Sequence, residues 1–318
     1  MIASERQGVV DPSEQEVSLE QLITIQYLRQ VQILHRLGLI HVLPPDDSVE
    51  ASESVLGFVG IDGKSYRVPS LERVLRHIKE QAWMPEKMRQ GFTRLSIVPF
   101  GLPLLELVEV YSKVLRAHAQ TNTLHSTDGT VLTLDTNDPI YMWDAYAGTN
   151  AQGADVDGSL IYDQTDLEDP TTGMTKQEKL TLHGGFQILL LETTPDIPAE
   201  GKGTIIHTRK QLEANKTPLE YQDLLHTDPQ YQHEQPLTPE SWFTLAITHL
   251  EETNQQIDDY DRSGKICYLL GSTIDSRAPV ASWHRFSERA RLFRNLLGNR
   301  NPNRGLRTAL NITPSRTL

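Results

Sequence analysis

The chain has 318 residues, 38% of them apolar and 23% charged, and a formal net charge of −12. This length and composition predict a packed protein of two domains, or of one domain with a long extension, and are not typical of disorder. The acidic balance argues against a general nucleic-acid-binding surface, and the single cysteine, Cys267, excludes an internal disulfide and a cysteine-based zinc site.

The first 120 residues are predicted to be mostly helical. Apolar residues recur at helical spacing over 18–37 and stop at Gly38, which predicts a first helix there. Further helices are predicted over 70–81 and 103–119, and two apolar runs around Asp62-Gly63 predict a β-hairpin. The N-terminus lacks the features of a secretory signal and no run of about 18 apolar residues occurs, so a chain that is soluble when made, without membrane insertion, is expected.

The polar segment 121–129 is the predicted boundary between a helical attachment or oligomerisation region, residues 1–125, and a second domain, residues 126–318. In the second domain the apolar run 186–192 predicts a buried central strand. Thr238 is placed as the N-cap of a helix with Pro239 in its first turn. The remaining elements are predicted as a strand at 131–134, one or two short helical pieces across 209–214 and 218–225, and four short strands at 266–270, 280–284, 291–294 and 306–312. This order predicts an α+β fold in which two helices are segregated from a small antiparallel sheet.

Residues 277–307 differ from the rest of the chain. They contain eight arginines, no lysine and one acid, Glu288, and therefore carry +7, whereas the remainder of the chain carries −19. Asparagines are also crowded at positions 295, 299, 301, 303 and 311. We expect the binding function to lie in this C-terminal segment. A nucleic-acid ligand is not favoured, because lysine and a phosphate-binding glycine loop are both missing; structural arginines, and asparagines that simply form turns, are the alternatives.

Trp283, the spaced arginines, Gly298 and the closing run Gly305-Leu-Arg-Thr-Ala309 resemble the C-terminal half of the C-type lectin fold, in the branch of the formylglycine-generating enzymes. Residues 139–312 resemble more specifically the variable proteins of diversity-generating retroelements. The segments that carry this likeness are Tyr141-Met-Trp-Asp, Gly173-Met-Thr, Leu189-Leu-Leu-Glu192, Arg209 to Asn215 and Ile247 to Asn254.

The resemblance implies a C-type lectin-like domain that binds a protein or glycan receptor on a target surface. It also implies that a reverse transcriptase diversifies the segment of about 278–311 by errors at adenines, so that undiversified asparagine codons remain. Carried over to this chain, the scaffold positions are Trp283, Arg285, Ala290, Leu292, Arg294, Gly298, Gly305, Arg307 and Ala309. The displayed, ligand-binding positions are Ala278, Ser282, His284, Phe286, Ser287, Arg291, Phe293, Asn295, Leu296, Asn299, Asn301 and Asn303.

Two other functions remain open. The chain could be an oxidase related to the formylglycine-generating enzymes, although that chemistry uses a pair of copper-holding thiols and Cys267 is alone; or it could be a structural component of a virion. No catalytic residue and no cofactor is expected. Homo-oligomers are possible, and the location is left between a virion surface and the cytoplasm.

An acidic loop could hold a structural calcium, since calcium takes oxygen ligands on flexible loops. The final glutamate of an EF-hand is missing, so a solvated loop is the preferred interpretation. The oxygen-bearing residues of this loop are Asp155, Asp157, Ser159, Asp163, Asp166 and Asp169. The histidines His183, His207, His226, His233 and His249 lack metal-ligand spacing, and His249 is expected to be packed against its helix.

Overall fold

A computed structural model describes residues 18–44, 55–147, 159–193, 196–261 and 265–314. It is a mixed α+β structure, as the sequence predicts. Its helices are α1 (Leu19–Arg36), α2 (Leu71–Glu80), α3 (Met84–Arg89), α4 (Leu104–Gln120), α5 (Asp144–Ala147), α6 (Lys176–His183), α7 (Pro218–Thr227) and α8 (Pro239–Thr253). None of the helices in these ranges combines the length and apolarity needed to cross a membrane.

The strands, in chain order, are β1 (His41–Leu43), β2 (Val55–Val59), β3 (Ser65–Arg67), β4 (Phe92–Val98), β5 (Ile140–Met142), β6 (Leu160–Tyr162), β7 (Gln187–Glu192), β8 (Ile205–Ile206), β9 (Arg209–Lys210), β10 (Glu234–Pro236), β11 (Asp259–Tyr260), β12 (Ile266–Tyr268), β13 (Ser272–Ile274), β14 (Arg277–His284), β15 (Arg289–Leu296), β16 (Arg304–Leu306) and β17 (Thr308–Asn311). The strands range from two to eight residues, and β14 and β15 are the longest.

The helices predicted from caps and periodicity are present. Ser18 and Gln21 form a reciprocal capping box at the start of α1, and Ser70 caps α2. Thr238 caps α8 with Pro239 in the first turn, and Asn254 ends that helix in a left-handed conformation. Residues 239–250 of α8 are buried on every side rather than along one face. The helix contacts β4, α4 and β14, and it therefore lies at the centre of the molecule.

A four-stranded antiparallel sheet has the order β10-β17-β7-β4, so the apolar strand β7 is central, as predicted. β4 is an edge of this sheet, and the side-chain amide of Gln26 in α1 covers that edge. Gln26 Nε2 donates to the Thr93 carbonyl at 2.9 Å, and Leu95 N donates to Gln26 Oε1 at 2.8 Å. The helix thus satisfies backbone groups that would otherwise be free to pair with another strand.

A second sheet of eight strands contains the C-terminal segment. It follows the order β16-β12-β14-β13-β6, with β11 and β15 also paired to β14 and with β5 paired to β15. The β11–β14, β12–β16 and β15–β5 pairs are parallel. The expectation of a small antiparallel sheet therefore holds for the sheet of β10, β17, β7 and β4 but not for this one. This sheet is larger and mixed, since strands from distant parts of the chain join it.

Several local predictions also require correction. Residues 131–134 form only an isolated bridge, between His125 and Val131, and residues 209–210 are a strand of the β8–β9 hairpin rather than part of a helix. The described part of residues 126–318 contains four helices, not two, and the first 120 residues contribute strands as well as helices. β4 pairs with β7, and one core cluster runs from Ile23 to Ile312. The two predicted regions therefore share a sheet and a core.

Candidate functional site

Strands β14 and β15 form a long antiparallel pair with two different faces. Directly opposed residues share a face, and Trp283 lies opposite Ala290 while Ala281 lies opposite Leu292. All four of these side chains are 0% exposed and belong to the main core cluster. The predicted scaffold positions Trp283, Ala290 and Leu292 thus form one inward face.

We refer to the opposite face of this strand pair as the outer face. It is formed by the pairs Ala278–Asn295, Val280–Phe293, Ser282–Arg291 and His284–Arg289. Six of the twelve predicted ligand-binding residues lie on it, as the two-residue period of strands requires. Trp283, Ala290 and Leu292 therefore lie on one face of the strand pair and these six residues on the other, whereas Leu296 pairs with Arg277 in register with the inward face.

One end of the outer face is covered. Ala278 and Val280 belong to a second, smaller core cluster that also includes Tyr221 of α7 and Tyr268 of β12. Ala278 and Ser282 are 0% exposed and Asn295 is 8% exposed. The expectation that these three side chains are displayed does not match their burial, because neighbouring elements pack over them.

The other end of the outer face is open and leads into an exposed turn. Phe286, in a 3₁₀ turn over Arg285–Ser287, is 58% exposed. Leu296 is 54% exposed but lies at the opposite end of β15, where it pairs with Arg277. The ring of His284 contacts those of Phe286 and Tyr260 at centroid distances of 5.9 and 5.4 Å. Ser287 N donates to His284 Nδ1 at 3.2 Å, so this histidine also caps the turn.

Arginine and aromatic side chains alternate across the open part of the face. The guanidinium carbon of Arg291 lies 5.2 Å from the centroid of Tyr141 and 5.7 Å from that of Phe293. Arg304 lies 5.6 Å from the same Phe293 ring. Burial and the neighbouring Arg289 cation both lower the pKa of Arg291. These contacts form a ladder of cation–π interactions; we refer to Tyr141, Arg291, Phe293 and Arg304 as the ladder.

The predicted asparagines brace the loop after β15. Asn295 Nδ2 donates to the Tyr268 hydroxyl at 3.1 Å, and Asn299 Nδ2 donates to Asn295 Oδ1 at 3.2 Å. Asn303 N donates to Asn301 Oδ1 at 2.8 Å, a local turn interaction. The asparagine side chains therefore help to order this loop. Asn299 is exposed, whereas Asn301 and Asn303 are half-buried.

Most arginines of the segment are held by carboxylates from earlier in the chain. The pairs are Arg285 with Asp128, Asp259 and Asp261, Arg289 with Asp138, Arg294 with Asp275, Arg300 with Glu220, and Arg307 with Asp258. Arg285 meets Asp259 at 2.6 Å and Arg307 meets Asp258 at 2.8 Å. Hydrogen bonds and the charge of Asp259 raise the pKa of Arg285. Arg285, Arg294 and Arg307 therefore anchor strands, in keeping with their predicted scaffold role.

The remaining predicted scaffold residues differ in their surroundings. Ala309 is 0% exposed in β17. A Cβ on Gly305 would lie 2.4 Å from Ile197 Cγ2, so the close packing at this position requires glycine. Gly298 is exposed, with no heavy atom within 4 Å of such a Cβ, and nothing in its surroundings requires glycine.

Sequence reasoning did not place Tyr141, Tyr260 or Arg304 in the site. Tyr141 reaches the ladder because β5 pairs in parallel with β15, and Tyr260 reaches His284 because β11 pairs in parallel with β14. The aromatic run at 141–146 was the one signal available for Tyr141. Parallel pairing between distant segments has no local sequence pattern that would reveal it.

The acidic loop shows no assembled cation site in the residues that can be described. Asp155 and Asp157 lie outside the described ranges. Asp163 is paired with Lys179 at 2.6 Å, and Asp166 and Asp169 accept hydrogen bonds from backbone N–H groups within their own turns. Within the described ranges, no group of three or more His, Cys, Asp or Glu side chains is arranged to hold a metal ion.

His249 and Cys267 are buried side chains that do not belong to the ladder. His249 is 5% exposed, and its Nδ1 lies 2.8 Å from Nη1 of Arg94. Burial, together with Arg94 and Arg307, lowers the pKa of His249 to about 3, so it is a neutral packed histidine. Cys267 is 0% exposed, and burial raises the pKa of its thiol well above the ordinary value.

Comparisons of the chain with protein-family models, with curated proteins and with solved structures return no match.

Proposed function

We propose that this protein is a ligand-binding or receptor-binding protein whose C-terminal segment is diversified by a retroelement and displayed on a C-type lectin-like scaffold. The observation that carries the proposal is the separation of the two residue sets in β14 and β15. Trp283, Ala290 and Leu292 face the core, whereas His284, Arg291 and Phe293 lie on the outer face.

This separation matters because strand side chains alternate between faces. Substitutions confined to one face of a paired strand leave the packing of the opposite face in place, whereas a register shift of one residue would exchange the two. A rigid frame that carries replaceable side chains is the arrangement that recognition sites commonly use. The aromatic, arginine and asparagine side chains at the open end are residue types suited to adaptable binding.

The oxidase alternative receives little support from the cysteine. Cys267 is the one cysteine of the chain, and a buried thiol with a raised pKa is a poor nucleophile and a poor metal ligand. Copper binding, or thiol-dependent turnover that Cys267→Ala removes, would favour that alternative over a binding protein.

Comparison of sister genes tests the diversification directly. We expect codons 278–311 to differ between close isolates, at adenine positions and mainly in the outer-face and loop codons, while the codons for Trp283, Ala290 and Leu292 remain constant. A reverse transcriptase gene and a near-copy of this segment should lie nearby. A segment that varies no more than the rest of the gene, with no such repeat, contradicts the proposal.

Two matched libraries test the tolerance of the face. The first randomises His284, Phe286, Arg291 and Phe293, and the second randomises four inward positions of the same strands, Ala281, Trp283, Ala290 and Leu292. We expect most members of the first library, and few of the second, to retain a cooperative thermal transition. Equal loss of folding in both libraries would show that the outer face is core.

A further inference from the structure

Among the eight arginines of residues 277–307, three form no ion pair with a carboxylate in the described part of the chain: Arg277, Arg291 and Arg304. Two of these three, Arg291 and Arg304, lie on the same aromatic ring, that of Phe293. The chain has 42 acidic residues against 30 basic ones, so the lack of a carboxylate at the ladder is a local feature of the site.

The two arginines are also incompletely hydrogen-bonded. Both side chains are half-buried. Arg291 Nε, Arg304 Nε and Arg304 Nη1 are buried atoms with no hydrogen-bond partner among the described residues. Removing charged donors from water without partners is unfavourable, so these two cations are poorly compensated. A carboxylate of a ligand that meets the exposed part of each guanidinium would offset this cost.

The surroundings of these donors indicate the ligand's chemistry. A guanidinium group held between rings presents a planar fork of N–H donors that matches a carboxylate. The neighbouring Arg289 already has its own carboxylate, Asp138, and its positive charge adds to that of Arg291. The ladder therefore offers two cations whose complement is an acidic group on a partner.

The rim of the face indicates what kind of molecule carries that group. Phe286, in the turn at the open end of the face, is a large apolar side chain that is 58% exposed. Aromatic residues and arginine are enriched in protein–protein interfaces. A peptide partner can cover the exposed ring of Phe286 with its own apolar side chains.

We propose that the open end of the outer face binds an acidic segment of a partner protein, with carboxylates that accept hydrogen bonds from Arg291 and Arg304 on either side of Phe293. This inference rests on the proposed binding function and adds the chemical class of the ligand. Because Arg291 is itself a predicted diversified position, the preference for an acidic partner belongs to this version of the segment.

Fluorescence anisotropy with a labelled glutamate-rich peptide tests the proposal, and a glutamine peptide of equal length is the control. We expect binding of the glutamate peptide at low ionic strength, weakening as salt is added. Arg291→Gln or Arg304→Gln should each weaken binding about tenfold or more, which corresponds to about 1.4 kcal/mol. Arg291→Lys should lose less, because the charge remains while the planar fork is lost.

Arg277→Gln and Arg300→Gln are the matched controls, since they remove the same charge from the same segment outside the ladder; each should leave the affinity within about twofold. Thermal melts of all variants check that they fold. Failure of the glutamate peptide to bind, or equal losses in the ladder and control variants, overturns the proposal. Binding of polygalacturonate but not of the peptide would also overturn it, by assigning the site to an acidic glycan.

The two proposals can fail separately. If codons 278–311 vary between sister genes while Arg291→Gln and Arg304→Gln leave peptide binding unchanged, the ligand class proposed here is wrong and the diversified binding function stands. If the codons do not vary, yet the ladder variants lose peptide binding, the acidic-peptide site stands without diversification.

Discussion

The same substitution at two positions of β15, Leu292→Ala and Leu296→Ala, tests the placement of this strand. Leu292 is 0% exposed and lies opposite Ala281 in the inward face, whereas Leu296, one residue from the covered Asn295, is 54% exposed. Removal of three carbons from a fully buried leucine costs about 2 to 5 kcal/mol, because burial is lost and a cavity remains. Substitution of a half-exposed leucine at a strand end should cost less than about 1 kcal/mol.

Urea unfolding followed by circular dichroism measures both values. With a slope near 3 kcal/mol per molar urea, the upper part of the usual range, Leu292→Ala should lower the midpoint by about 0.7 to 1.7 M, and Leu296→Ala by less than about 0.3 M. The slope itself should not change, because the two variants differ in stability and not in the surface exposed on unfolding.

A one-residue shift of β15 would exchange the environments of Leu292 and Phe293. If β15 were shifted by one residue, Leu292 would lie on the outer face, and Phe293 would turn inward. Leu292→Ala would then cost little, and Phe293→Ala would cost about 3 kcal/mol or more. A small cost for Leu292→Ala together with a large cost for Phe293→Ala would thus refute the two-faced strand pair on which the functional proposal depends.

Three other predictions concern the surroundings of the site. Arg307→Met should lower the free energy of unfolding by about 3 to 5 kcal/mol, because its buried carboxylate partner loses its counter-charge, whereas Arg291→Met, which breaks no ion pair, should be neutral or stabilising in the same urea titration. Gly305→Ala should cost about 1 to 3 kcal/mol through overpacking, and Gly298→Ala should be silent; equal melting temperatures would contradict the close packing at Gly305. The folded pKa of His249 is lowered from 6.5 to about 3, so its contribution to stability is present above pH 6.5 and decreases as the pH falls towards 3, by about 1.4 kcal/mol per pH unit. His249→Gln should flatten the pH dependence between pH 6 and 4 relative to the wild type, and parallel curves would contradict the assignment.

The helices of this fold could be predicted because their signals are local. Ser18, Ser70 and Thr238 all cap the helices that follow them, and the apolar run of β7 forms the central strand of its sheet. Each of these signals lies within one turn or one strand of the element it specifies. The inward position of Trp283, Ala290 and Leu292 corresponds to the scaffold role that the resemblance implied for them.

The covered part of the site could not be predicted, because its cover comes from elsewhere in the chain. Ala278 lies in the same cluster as Tyr221 of α7, more than fifty positions earlier. Likewise, Tyr141 meets Arg291 only because β5 adds to the edge of β15 in parallel. Alternation along a strand identifies which side chains share a face, but it does not show whether that face is open.

The charge of residues 277–307 has a structural origin that the sequence did not reveal. The carboxylates that hold Arg285, Arg294 and Arg307 all belong to earlier parts of the chain. A segment whose anchors find their partners outside it is necessarily cationic, and its host is correspondingly acidic. This arrangement also suits a replaceable segment, because the partners that fix its frame lie outside the part that would change. Arg277, Arg291 and Arg304 depart from the rule. Because Arg291 and Arg304 also share the ring of Phe293, their missing counter-charge is best sought in a ligand.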